Sequence, residues 1–454
     1  MNKKILISIP SLWAIRNFIY SGLIEDLKSK YSIVIMLPEG SEYLSLVINT
    51  GCEYIEYPIC KYNFLERVLS RSLNSKLLKR SEAMRKSKLV SLSMETPNST
   101  KGRILKLLTT ILSNTFSEDI LFFIYGKVTK DHRFDRILEY INKNKEALII
   151  ATNIVVKHEL MLFMHLKNNP INKIDFINSF DNTTSRGFVP FRLFDHHLVW
   201  NKKMKDELIQ IFNVDTDKVS IIGTPQFDLL IVGGNSPLLK NDLLYSVVEN
   251  KKYILYCAGH FSLFPFEVNI VQNMVIELNN RNNDLIFIIR MHPLDNHQRW
   301  QENQFPQNVI FDTPWKQNET NPLMSVPEKY EYLRHGRILN KAQLILNIGS
   351  TTSLDACVLN KPVFNLNFNE DNTNGELDII YKSEHYEPII ASEAAPLVYS
   401  IDELEHQINA IYNNQESTDQ SLKRQKFAEE YCGFSNSNLF SDRFEDYLQD
   451  AFVA

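Results

Sequence analysis

The sequence is poor in glycine and in cysteine. Only 14 of its 454 residues are glycine, and five are cysteine. The cysteines form no CxxC pair and their number is odd, so they indicate no disulfide framework. We expect reduced core thiols in a cytosolic protein. Because glycine is scarce, the cluster Gly-Ser-Thr-Thr-Ser at 349–353 is not background, and it calls for a specific reason.

Long apolar runs and a strong excess of charge are also missing. No window offers the roughly 20 apolar residues that a membrane-spanning helix needs. The N-terminal stretch "MNKKILISIPSLW" has only a short apolar run, which predicts a first β-strand and not a signal peptide. The net charge of −5 does not favour nucleic-acid binding. We therefore expect a soluble, cytoplasmic, globular enzyme without a nucleic-acid partner.

Short apolar runs alternate with segments of helical periodicity along most of the chain. "KILISIPS", "IRNFIYSGLIEDLKSK" and "YSIVIMLP" follow one another as strand, helix and strand, which is the order of a parallel βαβ unit. The alternation of strands and helices restarts near Lys251, and a chain of 454 residues is too long for a single hydrophobic core. We predict an α/β protein with two doubly wound, Rossmann-like domains that face a cleft. The predicted bounds are 1–235 and 236–430, with 431–454 as a C-terminal helix that packs back on the first domain.

Residues 61–130 interrupt the αβ rhythm. Between Lys61 and Lys106 the sequence holds twelve Lys or Arg and only three acids, with apolar residues at helical spacing. This pattern predicts a basic helical insert in the first domain. The insert is either a solvated helix face or a surface that docks on anionic lipid or a charged acceptor, such as the inner face of the plasma membrane.

Polar loops follow several predicted strands in the second half of the chain. In open parallel sheets, ligands bind outside the carboxyl ends of the strands. In "NIGSTTSLD" the glycine permits a tight turn, and the hydroxyls and a helix that starts near Ser353 favour a phosphate. The alternative is simple N-capping of a buried helix. The candidate donor- or phosphate-binding residues are Gly223, Thr224, His260, Arg290, His292, Pro293, Gly349, Ser350, Thr351, Thr352, Ser353 and His385.

The His-Pro pair at 292–293 is the second element of this predicted site. Pro293 restricts the residue before it to extended conformations, which fixes the direction in which His292 projects. A histidine at a strand end can donate to a phosphate or hold a leaving-group charge. Arg290 alternates to the same face of the strand, where it could pair with an anion or equally with a buried acid.

Several of these motifs resemble a known family. "HP" followed by "GSTTSLDACVLNKPVFNL" resembles the nucleotide-binding half of GT-B glycosyltransferases. "INSFDNTTSRG", "LVWNKKMKDEL" and "VSIIGTPQFDLL" resemble bacterial surface-polysaccharide transferases, which are similar to CDP-glycerol glycerophosphotransferases and UDP-GlcNAc epimerases. The resemblance spans nearly the whole chain. It implies a GT-B fold and a metal-independent transfer from a nucleotide-sugar, with no cofactor.

The resemblance also implies that the first domain supplies a base and acceptor contacts. Asp181 follows a predicted strand and is the first candidate base, although it could equally cap an Asx-type turn. His158 and Glu159 are the alternative pair. Arg16, Asn17 and Arg186 are candidates to bind an anionic group or the acceptor.

The expected function is transfer of a sugar from a nucleotide-activated donor to a surface glycan, such as O-antigen or capsule. The acceptor would be an oligosaccharide or a lipid-linked glycan. Three alternatives stay open at this point: a CDP-alcohol polyol-phosphate transferase, a nucleotide-sugar epimerase, and a non-catalytic nucleotide-sugar-binding protein.

Overall fold

The computed structural model describes residues 3–86, 90, 94–95, 99–261, 264–293, 295, 297–314, 327–368, 377, 380–435 and 438–452. Parts of the predicted basic insert (87–89, 91–93 and 96–98) lie outside the described residues. The chain forms two compact units, Met1–Pro225 with Asn436–Ala454, and Gln226–Ser435. The second unit starts before the predicted boundary at 236 because the helix Gln226–Asn235 packs on the helix Lys329–Lys341 of the same unit.

The first unit is built on a parallel sheet. Its described strands are β1 (Lys4–Ser8), β2 (Ser32–Pro38), β3 (Glu53–Tyr57), β4 (Leu148–Ala151), β5 (Asn172–Phe176), β6 (His196–Val199) and β7 (Val219–Ile221). Their order is β3-β2-β1-β4-β5-β6-β7, and every pair is parallel. Most of the central strands are buried on both faces, which explains why they appear in the sequence as continuous apolar runs.

The helices of the first unit include the predicted insert. The α-helices whose bounds the structure describes are Leu12–Ala14, Leu23–Lys28, Leu44–Asn49, Phe64–Arg80, Glu82–Lys86, Thr100–Thr115, Glu118–Val128, Asp135–Asn142, Lys157–His165, Asn182–Ser185, Lys202–Phe212 and Phe440–Ala451. A π-helical segment, Ile15–Tyr20, follows the first of them, and 3₁₀ turns lie at His132–Phe134, Phe191–Leu193 and Thr216–Lys218. The first long insert helix begins at a capping box. There, Asn63 Oδ1 accepts from the Glu66 backbone N–H at 2.8 Å, and Glu66 Oε2 accepts from the Asn63 N–H at 3.0 Å.

The last helix, Phe440–Ala451, belongs to the first unit. Its phenylalanines pack edge to face on the core: Phe440 on Phe176 with ring centroids 5.9 Å apart, and Phe444 on Phe18 at 6.4 Å. Arg443 Nε donates to the Ile222 carbonyl oxygen at 2.9 Å. The chain therefore returns to the first unit after completing the second.

The second unit is also a doubly wound parallel sheet. Its described strands are β8 (Ile254–Cys257), β9 (Phe287–Arg290), β10 (Val309–Asp312), β11 (Leu344–Asn347), β12 (Val363–Leu366) and β13 (Leu397–Val398), in the order β10-β9-β8-β11-β12-β13. The described helices are Gln226–Asn235, Tyr245–Val248, Glu267–Arg281, Gln298–Gln301, Lys329–Lys341, Thr352–Val358, Glu387–Ala391, Ile401–Tyr412 and Thr418–Glu430. Within the described ranges, no helix of either unit combines the length and the apolar character needed to cross a bilayer.

Two helices of the second unit meet backbone to backbone through glycines. A Cβ added to Gly336 would lie 2.5 Å from the Leu230 carbonyl oxygen and 2.9 Å from the Gly234 nitrogen. A Cβ added to Gly233 would lie 2.5 Å from the Leu333 carbonyl oxygen. Only a residue without a side chain lets the helices Gln226–Asn235 and Lys329–Lys341 approach this closely.

Candidate functional site

The candidate site lies at the carboxyl edge of the second sheet. β8 occupies the centre of this sheet, with β9 on one side and β11 on the other, so the strand order reverses at β8. Loops that leave strands at such a switch point form the usual ligand crevice of open α/β sheets. The loops after β8, β9 and β11 carry His260, His292 and the segment Gly349–Ser353, as the sequence predicts.

The two histidines lie side by side at this edge. Their ring centroids are 5.2 Å apart with the ring planes at 74°, and the His260 ring stacks on Phe261 at 4.9 Å. Burial, together with the smaller effect of neighbouring His260, lowers the pKa of His292 to about 4. At neutral pH the His292 imidazole is therefore uncharged, with one ring nitrogen able to donate and the other able to accept.

This low pKa predicts acid destabilisation that depends on His292. Its folded-state pKa lies below the ordinary value of about 6.5, so the unfolded chain binds the proton more tightly and stability falls as pH drops below 6.5. We expect His292→Gln to recover about 2 kcal/mol of the loss between pH 7.5 and 5, as measured by urea unfolding. His132→Gln is the matched control because the His132 ring is fully exposed. An equal acid loss in wild type and His292→Gln would contradict the assignment.

The turn after β11 requires glycine at its apex. Gly349 has φ +55°, and a Cβ there would lie 2.5 Å from Ile380 Cγ2. Asn347 Oδ1 accepts from the Ser350 backbone N–H at 2.9 Å, and Ser350 Oγ accepts from the Thr352 N–H at 3.2 Å. The Ser350 hydroxyl therefore accepts a backbone N–H at the start of the next helix, whereas the N-cap residue Thr351 makes no side-chain cap. That helix begins at Thr352, one residue before the predicted start.

Ser353 lies beneath this turn, within a buried polar network. Its Oγ is 3.1 Å from Asn347 Nδ2 and 2.9 Å from the Tyr386 hydroxyl. The Tyr386 hydroxyl donates to Asn365 Oδ1 at 2.6 Å, and Asn365 Nδ2 donates to the Ala395 carbonyl oxygen at 2.9 Å. The network fixes the ends of β11 and β12 under the Gly349 turn. These asparagines were not among the residues predicted from the sequence, although an asparagine within an otherwise apolar strand is a usable signal.

Arg290 realises the second of its two predicted pairings, the buried acid. Its guanidinium donates to Asp312 Oδ2, while Arg334 Nη2 donates to Asp312 Oδ1 at 2.7 Å. Arg334 Nε also donates to Asp242 Oδ2 at 2.6 Å. Burial alone would raise the pKa of Asp312, but the two guanidinium groups lower it below its ordinary value. The network therefore holds β9, β10 and the helix Lys329–Lys341 together behind the site.

The remaining donor candidates occupy varied positions. Pro293 and Thr352 follow their predicted strand ends, and Thr352 is buried whereas Thr351 is exposed. The His385 carbonyl oxygen accepts from the Tyr431 hydroxyl at 2.9 Å, and its ring is half-buried next to Tyr386. Gly223 and Thr224 follow β7 in the first unit, so they are not part of the edge formed by β8, β9 and β11.

The first unit has its own switch point, between β1 and β4. Asn17 Nδ2 donates to Asn178 Oδ1 at 2.5 Å, and Arg16 Nε donates to Asn17 Oδ1 at 3.1 Å. Asn153 Nδ2 donates to Ser11 Oγ at 2.9 Å. The structure thus brings the predicted anion-binding residues Arg16 and Asn17 together with amides from the loops after β4 and β5, which the sequence alone did not single out.

The candidate bases in the first unit differ in exposure. Glu159 is completely buried, and its carboxylate accepts the backbone N–H groups of Thr152 at 3.1 Å and Asn153 at 2.7 Å. Burial raises the pKa of Glu159 to about 8, even though these hydrogen bonds lower it. Burial lowers the pKa of His158. Glu159 thus anchors the loop after β4.

Asp181 is held by its own turn. Its carboxylate accepts from the hydroxyls of Ser179 and Ser185, both at 2.5 Å, and its carbonyl oxygen accepts the Ser185 N–H at 2.8 Å. Asp181 thus stands at the N-cap position of the helix Asn182–Ser185, but its side chain bonds serine hydroxyls and makes no cap to a backbone N–H. Arg186 Nε donates to Asn182 Oδ1 at 3.3 Å and lines a cavity of about 90 Å³. A catalytic role for Asp181, His158 or Glu159 stays a prediction.

Among the described residues, no group of three or more His, Cys, Asp or Glu side chains is placed to hold a metal ion.

Solved structures of similar fold span nearly the whole chain. The UDP-GlcNAc 2-epimerase of Neisseria meningitidis, bound to UDP-GlcNAc, has a TM-score of 0.52 at 13% identity, covering 98% of this chain and 100% of its own. The S. aureus MnaA–UDP structure has a TM-score of 0.56 at 10% identity, covering 98% and 96%. The UDP-GlcNAc 2-epimerase of Methanocaldococcus jannaschii has a TM-score of 0.52 at 11% identity, covering 99% of each chain.

No protein-family model matches the chain, and no curated protein matches its sequence significantly. At identities this low the structural similarity establishes the fold alone. Two parallel doubly wound sheets, each flanked by helices, together with neighbours that cover both units, give the chain the predicted two-domain GT-B fold.

Proposed function

We propose that the protein is an enzyme that binds a nucleotide-sugar at the carboxyl edge of β8, β9 and β11. The observation that carries this proposal is the convergence of His260, His292 and the Gly349 turn at the switch point of the second sheet. A diphosphate needs hydrogen-bond donors from several directions, and imidazole N–H and hydroxyl groups supply them. The neighbouring N. meningitidis and S. aureus structures hold UDP-GlcNAc and UDP respectively, which supports the same ligand class here.

The proposed roles follow from the exposure of each group. Thr351 is exposed at the turn, so its hydroxyl can reach a phosphate oxygen. Uncharged His292 can donate one ring N–H to the diphosphate, and charge that develops on the phosphate would favour protonation of the ring. Ser353 and Tyr386 are buried and act through the turn by fixing its position. No metal is assigned a part in this proposal.

Epimerisation of the sugar is the reaction with the most support. Two of the similar structures described above are UDP-GlcNAc 2-epimerases that match this chain over both units. An epimerase needs the nucleotide-sugar alone and transfers nothing to an acceptor.

Glycosyl transfer to a surface glycan is the second candidate. It is favoured by the basic insert, whose helix Thr100–Thr115 exposes apolar side chains beside Lys101 and Arg103. A transferase with a lipid-linked acceptor would bind the membrane through such a surface, whereas an epimerase acts on a freely diffusing substrate.

Nucleotide recognition is tested first, by thermal shift with CMP, CDP, UDP, GDP, dTDP and ADP, each with and without magnesium. A nucleotide at about 100 times its Kd should add roughly 2.7 kcal/mol to stability. The responding nucleotide identifies the donor class. If neither the free nucleotides nor UDP-GlcNAc stabilise the protein, the proposal fails.

The reaction is tested by incubating the protein with UDP-GlcNAc and following products by NMR. Epimerisation changes the proton couplings of the sugar ring without any acceptor. Transfer releases the nucleotide in proportion to an added glycan or lipid-linked acceptor. Binding with neither change would reduce the protein to a nucleotide-sugar-binding function.

Removal of two hydroxyls from the turn should weaken nucleotide binding. We expect Ser350→Ala with Thr351→Ala to lower nucleotide affinity at least tenfold, because a single lost hydrogen bond to a charged group, such as that of Thr351, contributes roughly 1.5 kcal/mol or more. Isothermal titration calorimetry with the responding nucleotide measures this loss.

The control for that double variant is Ser417→Ala. Ser417 Oγ accepts from the Asp419 N–H at 3.2 Å at the start of a helix of the same unit, as Ser350 Oγ accepts from the Thr352 N–H at the site. Both variants lose a hydroxyl that accepts a backbone N–H at a helix start, but only the double variant should lose nucleotide affinity. Unchanged affinity in a folded Ser350→Ala, Thr351→Ala protein would exclude the phosphate role of the turn.

A further inference from the structure

The insert helix Thr100–Thr115 presents three of its six apolar residues to solvent, while its other three, all leucines, are half-buried. Ile104, Leu107 and Ile111 are 45%, 60% and 48% exposed. The residues it buries are small or polar: Gly102, Thr109 and Ser113. This distribution is the reverse of that in a helix that packs its apolar stripe on a core.

The inward side of this helix is already occupied. It packs on the helix Phe64–Arg80, where Ser72 Oγ donates to the Thr109 carbonyl oxygen at 3.4 Å. At about 100° per residue, Ile104, Leu107 and Ile111 fall within about 60° of one another, on the side opposite Thr109. The outward stripe is therefore a continuous apolar surface.

Cations border this stripe. Lys101 and Arg103 are exposed and lie about 80° to either side of its centre. The helix contains no acid, whereas the chain as a whole carries a net charge of −5. The five residues Lys101, Arg103, Ile104, Leu107 and Ile111 together form what we term the apolar–basic face.

The next helix, Glu118–Val128, repeats the combination. Ile120 and Phe123 are 46% and 59% exposed, and Lys127 Nζ lies 5.3 Å from the centre of the Phe123 ring. Exposed apolar side chains on consecutive helices, each next to a cation, are uncommon on a free surface and mark a binding surface.

We propose that the apolar–basic face docks on an anionic bilayer. Apolar side chains flanked by Lys and Arg match the boundary between acyl chains and anionic headgroups. Because the chain as a whole is negatively charged, it needs such a local basic patch to approach an anionic surface. A second copy of the chain is the weaker occupant, because self-association of this face would bring like charges together. This inference does not depend on the proposed nucleotide function.

Vesicle co-sedimentation tests the proposal. The full chain is mixed with vesicles of phosphatidylcholine alone, or of phosphatidylcholine and phosphatidylglycerol in equal parts. We expect binding to the anionic vesicles that weakens at high salt. The triple variant Ile104→Ser, Leu107→Ser, Ile111→Ser should lose affinity at least tenfold, and Lys101→Gln with Arg103→Gln about fivefold for each charge.

The matched control removes three exposed apolar side chains elsewhere. Val232, Leu243 and Leu422 of the second unit are at least half exposed, so Val232→Ser, Leu243→Ser, Leu422→Ser alters surface hydrophobicity equally. This control should bind vesicles as wild type does. Equal binding to both vesicle types, equal losses in both triple variants, or a dimer abolished by the first triple variant without vesicle binding would each overturn the proposal.

Discussion

Asp312→Ala is expected to destabilise the second unit by about 3–5 kcal/mol, because it leaves two buried guanidinium groups without their shared acceptor. Arg290 and Arg334 both donate to the Asp312 carboxylate, and all three side chains are buried. Arg334 keeps a second acceptor in Asp242, so most of the loss should arise at Arg290. Removing one partner of such a network destabilises a protein more than replacing the whole network with apolar residues does, since an uncompensated charge stays buried.

Urea unfolding monitored by a probe in the second unit measures this loss. Asp402→Ala is the control: Asp402 accepts from Arg281 at 2.6 Å but is 83% exposed, so its loss should be within about 1 kcal/mol. Asp312→Asn keeps one acceptor oxygen and should fall between the two. A loss for Asp312→Ala no greater than that for Asp402→Ala would show that the buried network adds nothing to stability.

Gly336→Ala is expected to destabilise the second unit by about 3 kcal/mol, the opposite of what helix propensity predicts. Within a helix, Ala is favoured over Gly by about 1 kcal/mol. At Gly336 the new Cβ would meet the Leu230 carbonyl oxygen at 2.5 Å, and a backbone atom cannot rotate away. The helices must separate along their length to admit one methyl group, which sacrifices packing around it.

Gly126→Ala is the same substitution at a position where we expect the opposite change in stability. Gly126 lies inside the helix Glu118–Val128, where an added Cβ would be 3.4 Å from Met164 Cε, the end of a flexible side chain. We expect Gly126→Ala to be neutral or to stabilise by up to about 1 kcal/mol. Thermal unfolding of both variants checks the pair. Similar effects of the two substitutions would contradict the backbone-contact explanation.

Most strands of the two sheets could be predicted because they are buried on both faces. A strand of this kind appears as an uninterrupted apolar run, as in "LILN" and "FIIR". It can therefore be recognised from its own residues, without knowledge of the elements that pack on it. β13 has only two residues, Leu397 and Val398, which carry no periodicity to detect. The insert was recognisable as helical and basic, but its exposed stripe was not, because apolar spacing does not reveal which side of a helix meets the protein.

Pairings between residues distant in the chain could not be predicted from the sequence. Arg290 had two possible partners until the structure placed Asp312 directly opposite it on the neighbouring strand. The hydrogen bonds of Ser353 with Asn365 and Tyr386 join residues 12 and 33 positions apart, and this spacing carries no motif. Residues at strand ends could be listed as candidates, but their burial and their partners depend on the register of the whole sheet.

The return of the last helix to the first unit sets an order for biosynthesis. Phe440 and Phe444 cover Phe176 and Phe18, so this part of the first core stays open to solvent until the helix Phe440–Ala451 leaves the ribosome. Residues 226–435 are made in between, which at about 5–20 residues per second takes roughly 10–40 s. During that interval the nascent first unit exposes aromatic surface to chaperones and to neighbouring chains, while the second unit, encoded without interruption, can already fold.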